Sequence, residues 1–163
     1  IKKIIKNKIF VKLHPRVSNS KSILNTQIPK YFLNNKKNIK ILKSQKEFKK
    51  VFYNSKLNVC LSPHTAFIES FLSGPTVLVI NKNFYKIREE FQNLHEELFK
   101  ANILFYDGKK ATKHINMIWD NPEVWWNKNK VLKLRKKFEN LVCKTKNTEE
   151  TINEWSIFFK RLI

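Results

Sequence analysis

The sequence has few cysteines and no long apolar run, and each scarcity excludes a class of protein. Cys60 and Cys143 have neither metal-site spacing nor the density of a disulfide scaffold, so we interpret both as buried small hydrophobic residues. No apolar stretch approaches the roughly 20 residues that cross a bilayer, and no signal-peptide pattern is evident. We therefore expect a cytoplasmic protein, with peripheral contact at the anionic inner face of the cell membrane as an alternative.

Acidic residues are also scarce, with 13 Asp and Glu against 33 Lys and Arg, and the net charge is +20. Such an excess favours anionic partners such as nucleic acid, phosphorylated metabolites or an anionic membrane. The lysines are scattered through every segment beside abundant Asn and Ile, which is typical of a biased background composition. Charge alone therefore does not identify a partner.

The remaining composition is that of a folded domain. Hydrophobic residues make up 42% of the 163 residues and aromatics 13%, enough to bury a core. The chain begins with Ile1, and its opening letters "IKKIIKNKIF" look like the end of a helix that runs into a strand. We expect residues 1–163 to form a single Rossmann-like domain, a fragment of a two-domain protein without its N-terminal half.

Short strand-like runs alternate with helical patterns along the chain. The runs are "KIFVKLH" (8–14), "NIKIL" (38–42), "NVCLS" (58–62), "TVLVI" (76–80) and "ILFYD" (103–107). Repeated switching between strand and helix periodicity predicts an α/β fold with a Rossmann-like parallel sheet, flanking helices and a helical C-terminal tail.

The helices are predicted from apolar spacing and stop signals. Residues 45–55 and 64–74 form the first two, and the second ends where Gly74 precedes Pro75. A long amphipathic helix is predicted over 84–100, and further helices at about 110–119, 131–143 and 149–163. The pair Trp125 and Trp126, with Trp119, is interpreted mainly as packing.

Two polar clusters follow predicted strands and should share the carboxyl edge of the sheet, where such folds bind ligands. Lys12, His14 and Arg16 surround the end of the first run, with Pro15 between the last two. They either form a basic loop that caps the strand or contact an anion.

The second cluster combines polar side chains with a helix start. Ser62, His64 and Thr65 follow "NVCL", and the N–H groups of Thr65 and Ala66 should point into the crevice at the positive end of the helix dipole. A phosphate group would be well held there. Thr65 as a simple N-cap is the alternative. His64 alone is uninformative, and His95 and His114 are interpreted as solvent-facing or core-edge residues.

Glu69 lies one turn after Thr65 in the apolar stretch "AFIESFL". A carboxylate is costly to bury unless it accepts hydrogen bonds, which ribose or sugar hydroxyls would supply. Pairing of Glu69 with a lysine is the alternative.

These motifs resemble the C-terminal, donor-binding domain of GT-B glycosyltransferases. Lys12-Leu13-His14-Pro15 is similar to a strand-end His-Pro motif whose histidine contacts the donor phosphate, and "HTAFIESFLSGPTVLVI" is similar to the helix motif with its Thr-x-x-x-Glu spacing. A group of surface-polysaccharide transferases is similar over about residues 9–140, including a Trp-Trp pair followed by an Arg and a Phe, here Trp125, Trp126, Arg135 and Phe138. Leu61 and Ser62 stand where that group tends to carry an aspartate.

The resemblance implies a glycosyltransferase of cell-surface polysaccharide synthesis. Lys12, His14, Arg16, Ser62, His64 and Thr65 would bind the phosphate of a nucleotide-sugar donor, and Glu69 its ribose or sugar. A glycan or lipid-linked acceptor, and the catalytic base, would come from the missing N-terminal domain, so the isolated fragment should be inactive. No cofactor is expected, and no metal, because the sequence has no Asp-x-Asp pair. A nucleic-acid-binding module and a non-catalytic scaffold are the competing functions.

Overall fold

Five short strands alternate with helices in the computed structural model, which describes residues 9–12, 38–42, 45–143 and 147–161. Each strand lies inside one of the five predicted runs, so these predictions are confirmed. The strands are Ile9–Val11 (β1), Ile39–Ile41 (β2), Asn58–Cys60 (β3), Thr76–Val79 (β4) and Leu104–Phe105 (β5).

All observed strand pairs are parallel. β1 pairs with β2, placing Ile9 opposite Ile39, and β4 lies between β3 and β5, with Leu78 opposite Leu104. The predicted α/β class with a parallel sheet and flanking helices is confirmed. The strands form two hydrogen-bonded groups instead of one continuous sheet, because the described parts of the backbone make no ladder hydrogen bond between β1–β2 and β3–β5.

The helices follow the predicted order, and a helical segment closes the chain. Pro122 adds a short helix that the sequence did not predict, since proline suits the first helical position. The α-helices are Gln45–Tyr53 (α1), Thr65–Ser73 (α2), Gln92–Lys100 (α3), Gly108–Ile118 (α4), Pro122–Trp126 (α5), Asn129–Phe138 (α6) and Thr148–Lys160 (α7).

The predicted long helix over 84–100 is wrong in its first half. That region contains two short 3₁₀ turns, Lys82–Phe84 and Glu89–Phe91, and α3 begins only at Gln92. The Asn81 side chain accepts a hydrogen bond from the N–H of Asn83 at 3.0 Å and so stabilises a tight turn after β4. Between the two turns the backbone is extended, so apolar residues recurred at helical spacing without forming a helix.

The core is built around β4, whose first three residues are buried. Val77 and Leu104 are fully shielded from solvent, as expected of a parallel strand covered on both faces. Helix α2 packs on this layer through Phe67, Ser70 and Phe71, which recur at spacings of three and four and therefore share one face.

Aromatic side chains pack α5 and α6 against α2. The Phe71 ring lies 5.2 Å from the Trp126 ring and 4.3 Å from the Phe138 ring, measured between centroids. The indole N–H of Trp125 donates to the carbonyl of Ala101 at 3.3 Å. Both tryptophans are buried and Trp119 is partly buried against the core, so their interpretation as packing residues is confirmed.

Helix α7 differs from the others because all its described side chains are exposed. Asn147 and Glu150 form a capping box that satisfies N–H groups at its start. Its Trp155, Phe158 and Phe159 rings contact one another. None of the helices in the described ranges has the length and apolar character needed to cross a membrane.

Replacement of Phe71 by Ala should destabilise the fold strongly, because it removes a ring that is 1% exposed and leaves a cavity among Phe67, Trp126 and Phe138. We expect the free energy of unfolding, measured by urea denaturation, to fall by about 3–5 kcal/mol. The neighbouring Leu72→Ala is the control, because Leu72 is exposed and should cost less than about 1 kcal/mol. Equal losses for the two variants would contradict this account of the core.

Candidate functional site

The N-terminus of α2 lies just beyond the carboxyl end of β3 and offers unused hydrogen-bond donors. His64 is the N-cap residue, with extended backbone and no capping bond from its side chain. Its carbonyl accepts from the N–H of Phe67 at 2.8 Å, whereas the N–H groups of Thr65 and Ala66 have no backbone acceptor among the described residues. This end of the helix therefore presents donors and a positive dipole together.

The side chains around this turn are accessible. His64 and Thr65 are exposed and Ser62 is half-buried. The His64 ring meets Tyr85 edge-on, with centroids 6.0 Å apart, which brings the segment after β4 against the start of α2. Thr65 occupies the first helical position and so is not the N-cap.

Buried contacts fix α2 to the end of β3. The Cys60 thiol lies 3.5 Å from the Ser70 hydroxyl, and Ser70 is fully buried. Burial raises the pKa of the Cys60 thiol, and the hydrogen bond with Ser70 offsets part of that rise, so the thiol stays protonated. Cys60 and Cys143 are half-buried against the core, which is less burial than the sequence suggested.

Glu69 is exposed on the outer face of α2, together with Thr65. Phe67 and Phe71 are buried against the core, whereas Ala66 and Leu72 are exposed. Because the Glu69 side chain is itself exposed, the expected cost of burying its carboxylate does not arise. Within the described part of the chain, Glu69 makes no ion pair and no hydrogen bond. The alternative of a lysine partner therefore has no support from these residues.

The first predicted cluster is described only at Lys12. Its exposed ammonium group lies 5.8 Å from the centroid of the Phe48 ring, beyond the end of β1 in the two-stranded sheet. His14 and Arg16 lie outside the described residues. The expected convergence of the two clusters on one edge therefore stays a prediction.

A pair of polar aromatic residues that the sequence did not suggest connects α3 with the residue that follows β5. The Tyr106 hydroxyl and His95 Nδ1 are 3.0 Å apart, and Tyr106 stacks on Phe99. The Lys82 ammonium group, which follows β4, lies 5.8 Å from the Tyr106 ring centroid. The segments after β4 and β5, together with α3, thus bring a cation, a phenol and an imidazole together.

Burial sets the protonation of this group. It lowers the pKa of His95, and the positive charge of Lys82 lowers it further. Burial also raises the pKa of Tyr106, with a smaller contribution from the charge of Glu96. Both side chains are therefore neutral near pH 7. His95 Nε2 is buried and has no partner among the described residues.

The rule that located the first candidates applies equally to Lys82 and Tyr106, but not to His95, which lies in α3. Asn81 and Lys82 follow the predicted strand "TVLVI", and Tyr106 is the penultimate residue of the run "ILFYD", so strand ends alone could have indicated these positions. Asp107, which also follows β5, is occupied as a helix cap, because its side chain accepts from the N–H of Lys110 at 2.8 Å.

His114 lies in the core, not at its edge or in solvent. Its ring packs between Phe105 and Trp125, and its Nε2 atom has no partner in the described residues. Burial, with a smaller contribution from Lys128, lowers the pKa of His114. Its role is therefore packing.

Chemically, the edge beyond β3–β5 suits an anion better than a cation. It presents free backbone N–H groups, the Lys82 ammonium group and neutral side chains that can donate hydrogen bonds. Among the described residues no group of three or more His, Cys, Asp or Glu side chains is arranged to hold a metal ion.

One family model matches residues 1–159, that of the LIC12162 family transferases. The match covers nearly the whole chain, so the protein belongs to this transferase family. Searches of curated proteins and of solved structures found no match.

Removal of the positive charge at Lys82 should raise the pKa of His95 toward its ordinary value, although burial should keep it below that value. The measurement is an NMR titration of the His95 ring in wild type and Lys82→Gln. Because the pKa of His95 is lowered in the folded state, the protein loses folding stability as the pH falls below about 6.5, the ordinary pKa of histidine. The higher folded-state pKa expected in Lys82→Gln should make this loss smaller.

Lys86→Gln is the control, because Lys86 is exposed in the same segment and makes the same change in net charge. An unchanged His95 titration in Lys82→Gln, or equal shifts in both variants, would show that the two side chains are not coupled as described.

Proposed function

We propose that this LIC12162 family transferase binds a nucleotide-activated sugar donor at the carboxyl edge of its parallel sheet, as the donor-binding half of a GT-B glycosyltransferase in cell-surface polysaccharide synthesis. The observation that carries the proposal is the start of α2, where the Thr65 and Ala66 N–H groups lack acceptors among the described residues. Family membership supplies the reaction class. Transfer from such a donor leaves negative charge on a phosphate, and preorganised N–H groups stabilise charge of that kind.

In the proposed site, both predicted clusters contact the donor. Ser62, His64 and Thr65, with the start of α2, would hold the phosphate from one side. Lys12, His14 and Arg16 would approach it from the other. Glu69 is exposed one turn along α2 from Thr65, where its carboxylate can accept hydroxyl hydrogen bonds from ribose or sugar.

The residues named above would bind only the donor. A second domain would bind a glycan or lipid-linked acceptor and supply the catalytic base, and the reaction would take place at the cytoplasmic face of the membrane. The helix terminus and the nearby cations would neutralise the leaving phosphate without a metal or cofactor. Nucleic-acid binding and a scaffold without chemistry are the competing functions that the experiments below separate.

Addition of a nucleoside mono- or diphosphate should shift the backbone amide signals of Thr65 and Ala66 in ¹H–¹⁵N NMR spectra. We expect saturation in the millimolar range, because the proposed second domain would contribute no contacts to the nucleotide in this measurement. A labelled oligonucleotide is titrated in parallel at several salt concentrations. Steeply salt-dependent oligonucleotide binding without nucleotide shifts at Thr65 would favour the nucleic-acid function, and no binding of either would favour the scaffold.

Two substitutions of Thr65 separate the N–H group from the hydroxyl in the same titration. Thr65→Pro removes both, and proline is tolerated at the first helical position after the extended backbone of His64. Thr65→Ala keeps the N–H group and removes the hydroxyl together with the γ-methyl group. A charge-assisted hydrogen bond contributes about 1.5–3 kcal/mol, so the proline variant should bind about tenfold more weakly than the alanine variant. Equal affinities of the two variants for the nucleotide would show that the Thr65 N–H group at the start of α2 does not bind it.

Replacement of Glu69 by Gln should weaken donor binding by about tenfold while the thermal stability stays unchanged. The change keeps the shape and one acceptor oxygen but removes the charge that strengthens hydroxyl hydrogen bonds. Affinity is measured by titration with a nucleotide-sugar donor, and stability by thermal unfolding. Unchanged affinity with lowered stability would identify Glu69 as a structural residue and contradict its assignment to the donor.

A further inference from the structure

A cleft with a volume of about 290 Å³ lies between α3 and α6. None of the residues proposed to bind the donor lines it. This volume is close to the lower end of small-molecule sites, about 300–1,000 Å³. Its lining consists of Glu97, Lys100, Lys130, Lys133, Leu134 and Lys137.

The lysines of the cleft outnumber the nearby carboxylates. Lys137 pairs with Glu97 at 2.7 Å, and Lys100 pairs with Glu96 at 3.3 Å. Lys130 and Lys133 have no ion pair or hydrogen bond from their side chains among the described residues. Four ammonium groups against two carboxylates leave an excess of two positive charges at one cleft.

The fold holds these charges close together. The buried side chains of Val131, Leu134 and Phe138 fix the rotation of α6, so Lys130, Lys133 and Lys137 lie along one stripe beside the buried face. Like charges one helical turn apart repel each other and destabilise the helix. An anion in the cleft would relieve this repulsion.

We propose that this cleft binds a phosphate-bearing anion. A lysine ammonium group binds phosphate as a point charge with three N–H donors, and Lys130 and Lys133 would supply the donors that existing ion pairs leave unused. Two sources share this chemistry, a free phosphorylated metabolite and the headgroup of an anionic phospholipid.

The test compares two double variants of equal charge. K130Q/K133Q removes the two unpaired lysines of the cleft. K110Q/K113Q removes two lysines at the same spacing from α4, both exposed and outside the cleft. Binding of inorganic pyrophosphate is followed by the amide NMR shifts of α6, and binding to vesicles by cosedimentation with phosphatidylglycerol or phosphatidylcholine.

We expect pyrophosphate to shift the amides around Lys130 and Lys133, with affinity about tenfold lower in K130Q/K133Q and within twofold of wild type in K110Q/K113Q. Loss of cosedimentation with phosphatidylglycerol in the cleft variant alone would identify the headgroup as the source. Pyrophosphate binding without vesicle binding would identify a free phosphate. Equal losses of affinity in both variants would show that binding depends on net charge and not on the cleft. The absence of pyrophosphate shifts in α6 would also overturn the proposed site.

Discussion

The packing of Phe71 against Trp126 and Phe138 is the contact on which the arrangement of the site depends. It fixes one face of α2 and thereby sets which way the opposite face and the N-terminal N–H groups point. Arg135 extends the same contact, since its guanidinium lies 4.8 Å from the Trp126 ring centroid. Residues of α5 and α6 thus orient the backbone N–H groups at the start of α2.

The electrostatics of the carboxyl edge depend on Lys82, His95 and Tyr106. Burial and the Lys82 charge together keep the His95 imidazole neutral, and its hydrogen-bonded partner Tyr106 stays neutral as well. An anion bound close to Lys82 would offset the field of that ammonium group. Occupancy of the edge and protonation of His95 would then be linked, each favouring the other.

Local sequence patterns predicted most of the fold but only part of the candidate site. The strands were recognisable because short apolar runs lie between turn signals, and α2 because Pro75 follows its end. The 3₁₀ turns before α3 were missed, since apolar spacing does not reveal the side-chain cap of Asn81. The Tyr106–His95 pair depends on how α3 packs beside β5, which no local pattern encodes. Glu69 was placed on the correct helix but expected among apolar neighbours, because its direction depends on which face α2 buries.

Helix α7 forms its capping box and its aromatic contacts within itself, and its described side chains are all exposed. A helix of 13 residues whose described side chains are all exposed is marginal in water. Its amides should therefore exchange with deuterium through local unwinding, long before those of β4, whose release requires opening of the core. We therefore expect α7 to unfold separately from the core. Trp155 fluorescence would report on the unwinding of α7, and the fluorescence of the buried Trp126 on the unfolding of the core.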